Sequence, residues 1–446
     1  MKKNLVAIAA LTISAILFAV PLLLRLKFQE GLLFGEESYS NLLISQNIAS
    51  SYGVTPFHLA VSALGQHIVL EVAAQLLPII FGALSALLFY LIVRKLEPDF
   101  SISVLALLVF STIPATMYVF SAPVPDSMAL LLVLFGFYLS LFKSPVLIML
   151  SLLAAFSLLL FGSFPFLLSI VLIVSSWIKG RNKQLIFISF LFLVGIAFWV
   201  YGIASPSIDF SSFLSSIVAD LGGLYGIGLF HLMLTVTGII ILWPHRLTSK
   251  PMYFSAIFIL GAFGIFGSRI ILYSVFLVAF FSAVAIRWLA NFKWESGLIK
   301  RFTIVLVACS LLFSTVSYLE RISSMEPTPQ LVSGLDWLRQ QPKGIVLSDP
   351  SNTFWIQYFA GVEALAKPGE NDANISRLFA SRSLQYTNET LYSSGVKYIW
   401  IDPSMKSGKV WAKPEEGMLF LFRSNVTFLK LDERFGIETW EYVGGR

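Results

Sequence analysis

Residues 69–93 read VLEVAAQLLPIIFGALSALLFYLIV, and Arg94 and Lys95 follow directly. Crossing the ~30 Å hydrocarbon layer of a bilayer takes about 20 apolar residues in a helix, because no water is present there to satisfy the backbone. This stretch meets that need with one charge, Glu71, at its far end. Ten further stretches qualify: roughly 4–24, 102–120, 127–142, 145–161, 164–178, 185–204, 223–243, 251–267, 269–286 and 302–319. The expectation is a polytopic α-helical membrane protein with about 11 transmembrane helices. Composition agrees. Of 446 residues, 57% are apolar and 13% charged, and the mean hydropathy is +0.81. Soluble domains carry about twice that share of charge, so a cytosolic enzyme and a disordered chain are excluded. One cysteine, Cys309, rules out an internal disulfide framework. The first apolar run follows Lys2 and Lys3 but is too long for a signal peptide and lacks a small-residue cleavage site, so it reads as an anchor that stays.

Lys and Arg in alternate loops orient such a chain. With the N-terminus cytoplasmic, the inner set holds Lys2, Lys3, Arg94, Lys95, Lys143, Lys179, Arg181, Lys183, Arg246, Lys250, Arg287, Lys293, Lys300 and Arg301, against Arg25, Lys27 and Arg269 outside. The net charge of +6 therefore reflects topology and calls for no nucleic-acid partner. The acids lean the other way. Glu30, Glu36, Glu37, Glu71, Asp126, Asp209 and Asp220 fall outside, against Glu97, Asp99 and Glu295 inside, which directs attention to the outer face.

Past residue 319 the composition changes. Residues 320–446 carry 14 Lys/Arg and 15 Asp/Glu, a soluble balance. The chain thus divides into a membrane domain, 1–319, with a long first outer loop at 25–66, and a C-terminal extracytoplasmic domain, 320–446. Leu331, Leu335 and Leu338 repeat at helical spacing in QLVSGLDWLRQQ; GIVLSD, KYIWID and MLFLF read as strands; TFLKLDERFGIETWEY reads as a hairpin; and 371–394 reads as helical. An α/β or α+β domain follows.

Several outer residues could carry chemistry. In GEESYSNLLISQNIASSYG, Glu36 and Glu37 precede a segment whose Tyr39, Leu42, Leu43 and Ile48 make one apolar face, as in a helix lying in the membrane interface. The acids would then sit at headgroup height, or simply in water. Asp126 follows Pro123 and Pro125 at the mouth of an apolar helix, where it would cap the helix, orient a ligand, or do both. Arg269, in FGSRIILYS, either snorkels or offers its fork to a phosphate. His231 reads as a packed core residue, and Asp209 and Asp220 bracket a Ser- and Gly-rich loop at 205–222. No Walker loop, dinucleotide-binding glycine motif, HExxH or serine-hydrolase order is present.

Taken together, these residues resemble the GT-C superfamily of membrane glycosyltransferases. Glu36-Glu37 with Tyr39 is similar to its D-E-x-Y signature, and PVPD at 123–126 resembles its second acidic position. LDWLRQQPKGIVLSDPSNTFWIQYFAG and SSGVKYIWID resemble the external domain of oligosaccharyltransferase catalytic subunits and their prokaryotic relatives. Two departures stand out. The first acid is Glu where the superfamily usually has Asp. Asp349-Pro350-Ser351-Asn352-Thr353 stands where oligosaccharyltransferases carry W-W-D-Y-G, which argues against transfer onto an asparagine sequon.

The resemblance implies an inverting transfer of sugar from a polyprenyl- or dolichyl-phosphate-linked donor to a glycan, lipid or protein acceptor at the outer face of the cell membrane. It casts Glu36 or Glu37 as the base that takes the acceptor proton, and Asp126 as an acceptor-orienting or metal-holding acid. Arg269 would steady the phosphate as the C1–O bond breaks, with Arg25 and Lys27 in reserve. Tyr39, Asp209 and Asp220 would lie on the acceptor side. Mg²⁺ or Mn²⁺ would bridge Glu37 and Asp126 if a metal is used. The rival expectations are a transporter or flippase of lipid-linked sugars, which usually needs ionisable groups at mid-membrane, and a non-catalytic scaffold of the same fold.

Overall fold

The computed structural model describes residues 2–27, 31, 33–48, 53–142, 144–178, 215–243, 250–266, 268–366, 373–413, 415–423 and 426–444. In chain order the helices are α1 (Lys2–Lys27), α2 (Glu36–Gln46), α3 (Pro56–Gly65), α4 (Leu70–Leu96), α5 (Phe100–Thr112), α6 (Pro114–Ser121), α7 (Asp126–Ser140), α8 (Pro145–Ser157) and α9 (Ser163–Trp177). There follow α10 (Leu229–Leu242), α11 (Lys250–Phe266), α12 (Val275–Asn291), α13 (Gly297–Ser323), α14 (Pro329–Arg339), α15 (Ala373–Ala380), α16 (Leu384–Ser393) and α17 (Met418–Leu421). The chain forms two compact units, Met1–Leu24 with Ile48–Ser323, and Arg25–Asn47 with Ser324–Arg446. Residues 25–47 of the first loop thus belong with the C-terminal unit.

The first unit is helical and built for lipid. Leu298, Phe313, Leu260, Leu5 and Ile240 stand with two thirds or more of their surface bare, an arrangement that aggregates in water and suits a hydrocarbon solvent. Among the described residues, three helices are long and apolar enough to cross a membrane: Lys3–Lys27, Leu70–Leu96 and Gly297–Ser323. The pair α5 plus α6 passes the same test only jointly, bent by 67° where Pro114 interrupts the helix, as a broken span or a re-entrant loop does. The other apolar helices run 10–17 residues, cut short by breaks such as Gly162 and Pro145, so length alone does not reproduce eleven spans. The stretch expected at 185–204 lies outside the described residues. The chain is a multi-pass membrane protein.

Close approach holds this unit together. Phe18 meets Phe120 at 5.2 Å and Phe89 meets Phe110 at 5.0 Å between ring centroids. A Cβ on Gly82 would stand 2.7 Å from Phe120 and 2.8 Å from Phe18, so glycine here lets α4 approach both rings. Ser111 donates to Ser14 at 2.6 Å, joining α5 to α1.

The second unit carries a four-stranded mixed sheet of β1 (Ile345–Leu347), β2 (Val396–Ile401), β3 (Phe428–Arg434) and β4 (Ile437–Tyr442), ordered β1-β2-β4-β3. β1 runs parallel to β2, and β4 runs antiparallel to β2 and β3. The β1-to-β2 connection contains α15 and α16, as a parallel pair requires a long crossover. Both helices fall within the expected 371–394, with Ser383 capping the second by accepting from Tyr386 N. One expectation fails. MLFLF is no strand: Met418–Leu421 form α17, whose Met418, Leu421 and following Phe422 are buried in the domain core. A short apolar run has no period that separates strand from buried helix.

α2 also differs from its expected setting. Its apolar face does not lie open to an interface; Tyr39 and Leu42 are 2% and 1% exposed, packed inside the second unit. Tyr39 meets Tyr358 and Phe359, each at 5.2 Å.

Candidate functional site

In the membrane unit, Pro123 and Pro125 end one helical run and set up the next. Pro125 occupies the cap position and Asp126 is the first helical residue of α7. Its side chain therefore caps nothing. Asp126 Oδ2 instead accepts from Arg269 Nη2 at 2.6 Å and Nε at 3.1 Å, and Oδ1 accepts from Tyr273 OH at 2.7 Å. Arg269 and Tyr273 share one short 3₁₀ turn, Ser268–Tyr273, whose tight winding presents both donors to one carboxylate. Asp126 is 8% exposed, while the Arg269 side chain remains about half exposed. The acid is fixed in direction, and the cation is tethered yet open to solvent.

No sequence motif marks Tyr273 as a site residue. Only its place four residues past Arg269 in SRIILY hints at a second donor. Asp220 is placed structurally: Oδ2 accepts from Leu229 N at 2.6 Å at the start of α10, and Oδ1 accepts from Ser314 at 2.7 Å. Arg321 braces the same turn through the carbonyls of Ala219 and Gly223. His231 is fully buried beside Thr112, with Nε2 and Oγ1 3.3 Å apart, and has a core role. Asp209 lies outside the described residues.

In the second unit, Arg25 is wholly buried, with Nε, Nη1 and Nη2 donating to the carbonyls of Gly31, Met325 and Pro327. Those bonds, with Gly35 N donating to Glu326 O, bind the first loop to the start of the C-terminal domain. The guanidinium expected as a reserve phosphate ligand serves as a structural clamp. Lys27 stands exposed at the end of α1. Tyr39, expected on the acceptor side, is a core residue.

Glu36 and Glu37 open α2 behind Gly35, whose φ of 75° is glycine territory. Burial pushes the Glu36 carboxyl up to about 7; the Lys409 charge pulls it down, and Asp349 and Glu37 push it up. Lys409 Nζ lies 2.9 Å from Asp349 Oδ1 and also bonds Ser351. Burial raises Asp349 as well, but hydrogen bonds from Ser351 and Lys409 outweigh it and hold this acid below the usual range. Asn352 donates to the buried Asp402 at 2.6 Å. The segment 349–353, matched to the missing W-W-D-Y-G, is thus a capped 3₁₀ turn pinned by Lys409, a residue that no sequence motif marks.

The expected metal ligands, Glu37 and Asp126, fall in different units, and both oxygens of Asp126 already accept hydrogen bonds. Among the described residues no group of three or more His, Cys, Asp or Glu is arranged to hold a metal. The described residues of neither unit fit a metal site by themselves.

No protein-family model matches the sequence, and no curated protein matches it. Solved structures do. The Archaeoglobus fulgidus oligosaccharyltransferase tethered to an acceptor peptide with an NVT sequon is 13% identical, covers 89% of this chain and 69% of its own, and superposes with a TM-score of 0.60. The same enzyme with zinc and sulfate is 15% identical over 94% of this chain and 71% of its own, with a TM-score of 0.59. Archaeal oligosaccharyltransferase AglB from Archaeoglobus fulgidus, with an inhibitory peptide and a dolichol-phosphate, is 14% identical over 95% of this chain and 72% of its own, also at 0.59. At these identities the likeness is one of fold, and the chain has the fold of an archaeal oligosaccharyltransferase.

Proposed function

We propose that the chain is a membrane glycosyltransferase that moves a sugar, with inversion, from a polyprenyl- or dolichyl-phosphate-linked donor to a glycan, lipid or protein acceptor at the outer membrane face. The observation that carries this reading is a fold shared over most of the chain with an enzyme whose structures hold an acceptor peptide and a dolichol-phosphate. The orientation proposed puts the N-terminus in the cytoplasm and the C-terminal domain outside, following the excess of inner Lys and Arg.

Glu36 is the proposed base. A carboxyl that releases its proton near neutrality accepts one from an attacking hydroxyl more readily than an ordinary glutamate does. Arg269 is the proposed phosphate ligand. Its fork is held by Asp126 while about half of the side chain stays exposed, so a leaving phosphate would meet a cation already fixed in place. Asp126 then acts mainly by aiming Arg269, with Tyr273 fixing the carboxylate. Arg25, Tyr39 and Asp220 have structural partners and are left out of the proposed machinery. Zinc and sulfate accompany one structure of the archaeal enzyme. No step here is routed through a metal.

The test is release of polyprenyl phosphate by purified protein from a panel of labelled lipid-phosphate sugars, with EDTA and Mn²⁺ arms and the product anomer read by NMR. Inverted product from one donor class supports the reading, and loss in EDTA would make it metal-assisted. Vesicles that translocate an intact lipid-linked sugar without releasing phosphate would replace the transferase with a flippase.

A further inference from the structure

The membrane unit contains a cavity of about 410 Å³ between α1, α5, α12 and α13. Its walls include Ile13, Leu105, Ile286, Ile304 and Ala308, and its one polar side chain is Thr112. The Thr112 hydroxyl already donates to Val109 O at 3.0 Å, so nothing in the wall asks for a polar ligand. An apolar space of this size forfeits dispersion contacts along its whole lining when empty, and within a bilayer hydrocarbon is the solvent at hand to fill it.

Position and charge narrow the occupant. The α13 residues that line the cavity run from Ile304 to Leu312, about 5 to 17 Å past Arg301 at 1.5 Å per residue. The lined stretch is thus about 12 Å long and ends at about the depth of one leaflet of a ~30 Å core, room for most of a single lipid chain. Its shallow end is cationic. Lys3 lies 6.0 Å from the Phe100 ring centroid, joining the starts of α1 and α5, and Arg287 on α12 pairs with Asp99 at 2.8 Å. Lys300 and Arg301 lie in the first turns of α13. Over residues 1–3, 94–99 and 287–301, eight cations face three acids. The same helices thus offer an apolar groove below and positive charge at its mouth.

We propose that this groove holds one hydrocarbon chain of an anionic, phosphate-headed bilayer lipid, with the headgroup at Lys300 and Arg301. The lipid acts as a wedge that completes the packing of α1 against α13. It is distinct from the donor, whose proposed phosphate ligand, Arg269, lies on a different segment of this unit. Basic clusters at the ends of membrane helices recognise anionic headgroups by charge, at a rate of roughly a few-fold in affinity per cation.

The full-length protein is reconstituted in mixed phosphatidylglycerol and phosphatidylcholine vesicles, extracted into mild detergent, and weighed by native mass spectrometry. Wild type is expected to retain one phosphatidylglycerol in preference to phosphatidylcholine. The double variant Lys300→Gln, Arg301→Gln is expected to lower that preference by about tenfold, and Ala308→Trp, which fills the groove, to remove the retained lipid. Equal retention of the two lipids by wild type overturns the proposal, and so does retention unaffected by Ala308→Trp. Displacement of the retained lipid by an equimolar polyprenyl phosphate assigns the groove to the donor and also overturns it. The wild-type selectivity and competition arms need no variant to fold.

Discussion

The two units handle their key acids in opposite ways. Asp126, in the membrane unit, accepts three hydrogen bonds from Arg269 and Tyr273 and cannot turn without breaking them. Glu36, in the C-terminal unit, is half-buried with a cation, Lys409, and acids, Asp349 and Glu37, acting on it, and holds its proton to about 7. One carboxylate is locked by partners; the other is tuned by surroundings. The contrast follows from the solvent each unit was built for. A charge placed among apolar helices needs a partner in hand, whereas half-buried Glu36 keeps its proton because burial disfavours its charged form, with Asp349 and Glu37 adding to that effect and Lys409 opposing it.

If Asp126 works by aiming Arg269, Asp126→Asn keeps its shape but gives up the ion pair. Release of polyprenyl phosphate should then fall, by up to about the 10²–10³-fold that outright loss of a preorganised donor costs, because Arg269 remains but is less firmly aimed. Steady-state rates check this, and an unchanged rate removes Asp126 from the account. The same residue carries a stability effect. Asp126→Ala leaves the buried Tyr273 hydroxyl and one face of Arg269 without the acceptor, at a cost of about 1–3 kcal/mol, while Tyr273→Phe should cost less. Thermal unfolding in detergent reads both.

The tuned acid predicts a pH response instead. Because the Glu36 carboxyl is raised, the folded protein binds its proton more tightly than the unfolded chain does. Its contribution to stability is present below about 4.5 and is lost as pH rises through about 7. Glu36→Gln should therefore flatten that part of the stability profile and leave the acid side unchanged. Transfer, by contrast, should rise through the same window as the base ionises. Lys409→Met should move the midpoint of that rise upward, since the Lys409 charge pulls the carboxyl down. A midpoint that stays put would mean Glu36 is not the titrating group.

The smallest effect concerns the hairpin. Phe435 sits at φ 54° and Gly436 at φ 80° between β3 and β4, a turn that favours Asn-Gly. Phe435→Asn should stabilise the protein by about 1 kcal/mol, seen as a raised unfolding temperature.

What the sequence makes legible follows from period and composition. Apolar runs near 20 residues name the membrane unit, and alternation flanking Phe435-Gly436 gives the hairpin. Two kinds of feature escape it. Met418–Leu421 is short enough that helix and strand share one pattern. Residues 25–47 group with the C-terminal unit through Arg25 donating to carbonyls of residues 325 and 327, about 300 positions away, which no local pattern encodes. The site divides along the same line. Asp126 and Arg269 stand out as rare charges among apolar residues, but their pairing through Tyr273, and the Lys409 clamp on 349–353, depend on tertiary contact alone.

The most direct test of a carboxylate base acting on a lipid-linked donor is a single-turnover comparison of wild type with Glu36→Gln, with donor binding measured in parallel. The account predicts that binding is retained while release of polyprenyl phosphate drops by about 10²–10⁴-fold, as expected when a general base is removed. Equal release by the two proteins, with donor bound by both, would contradict it.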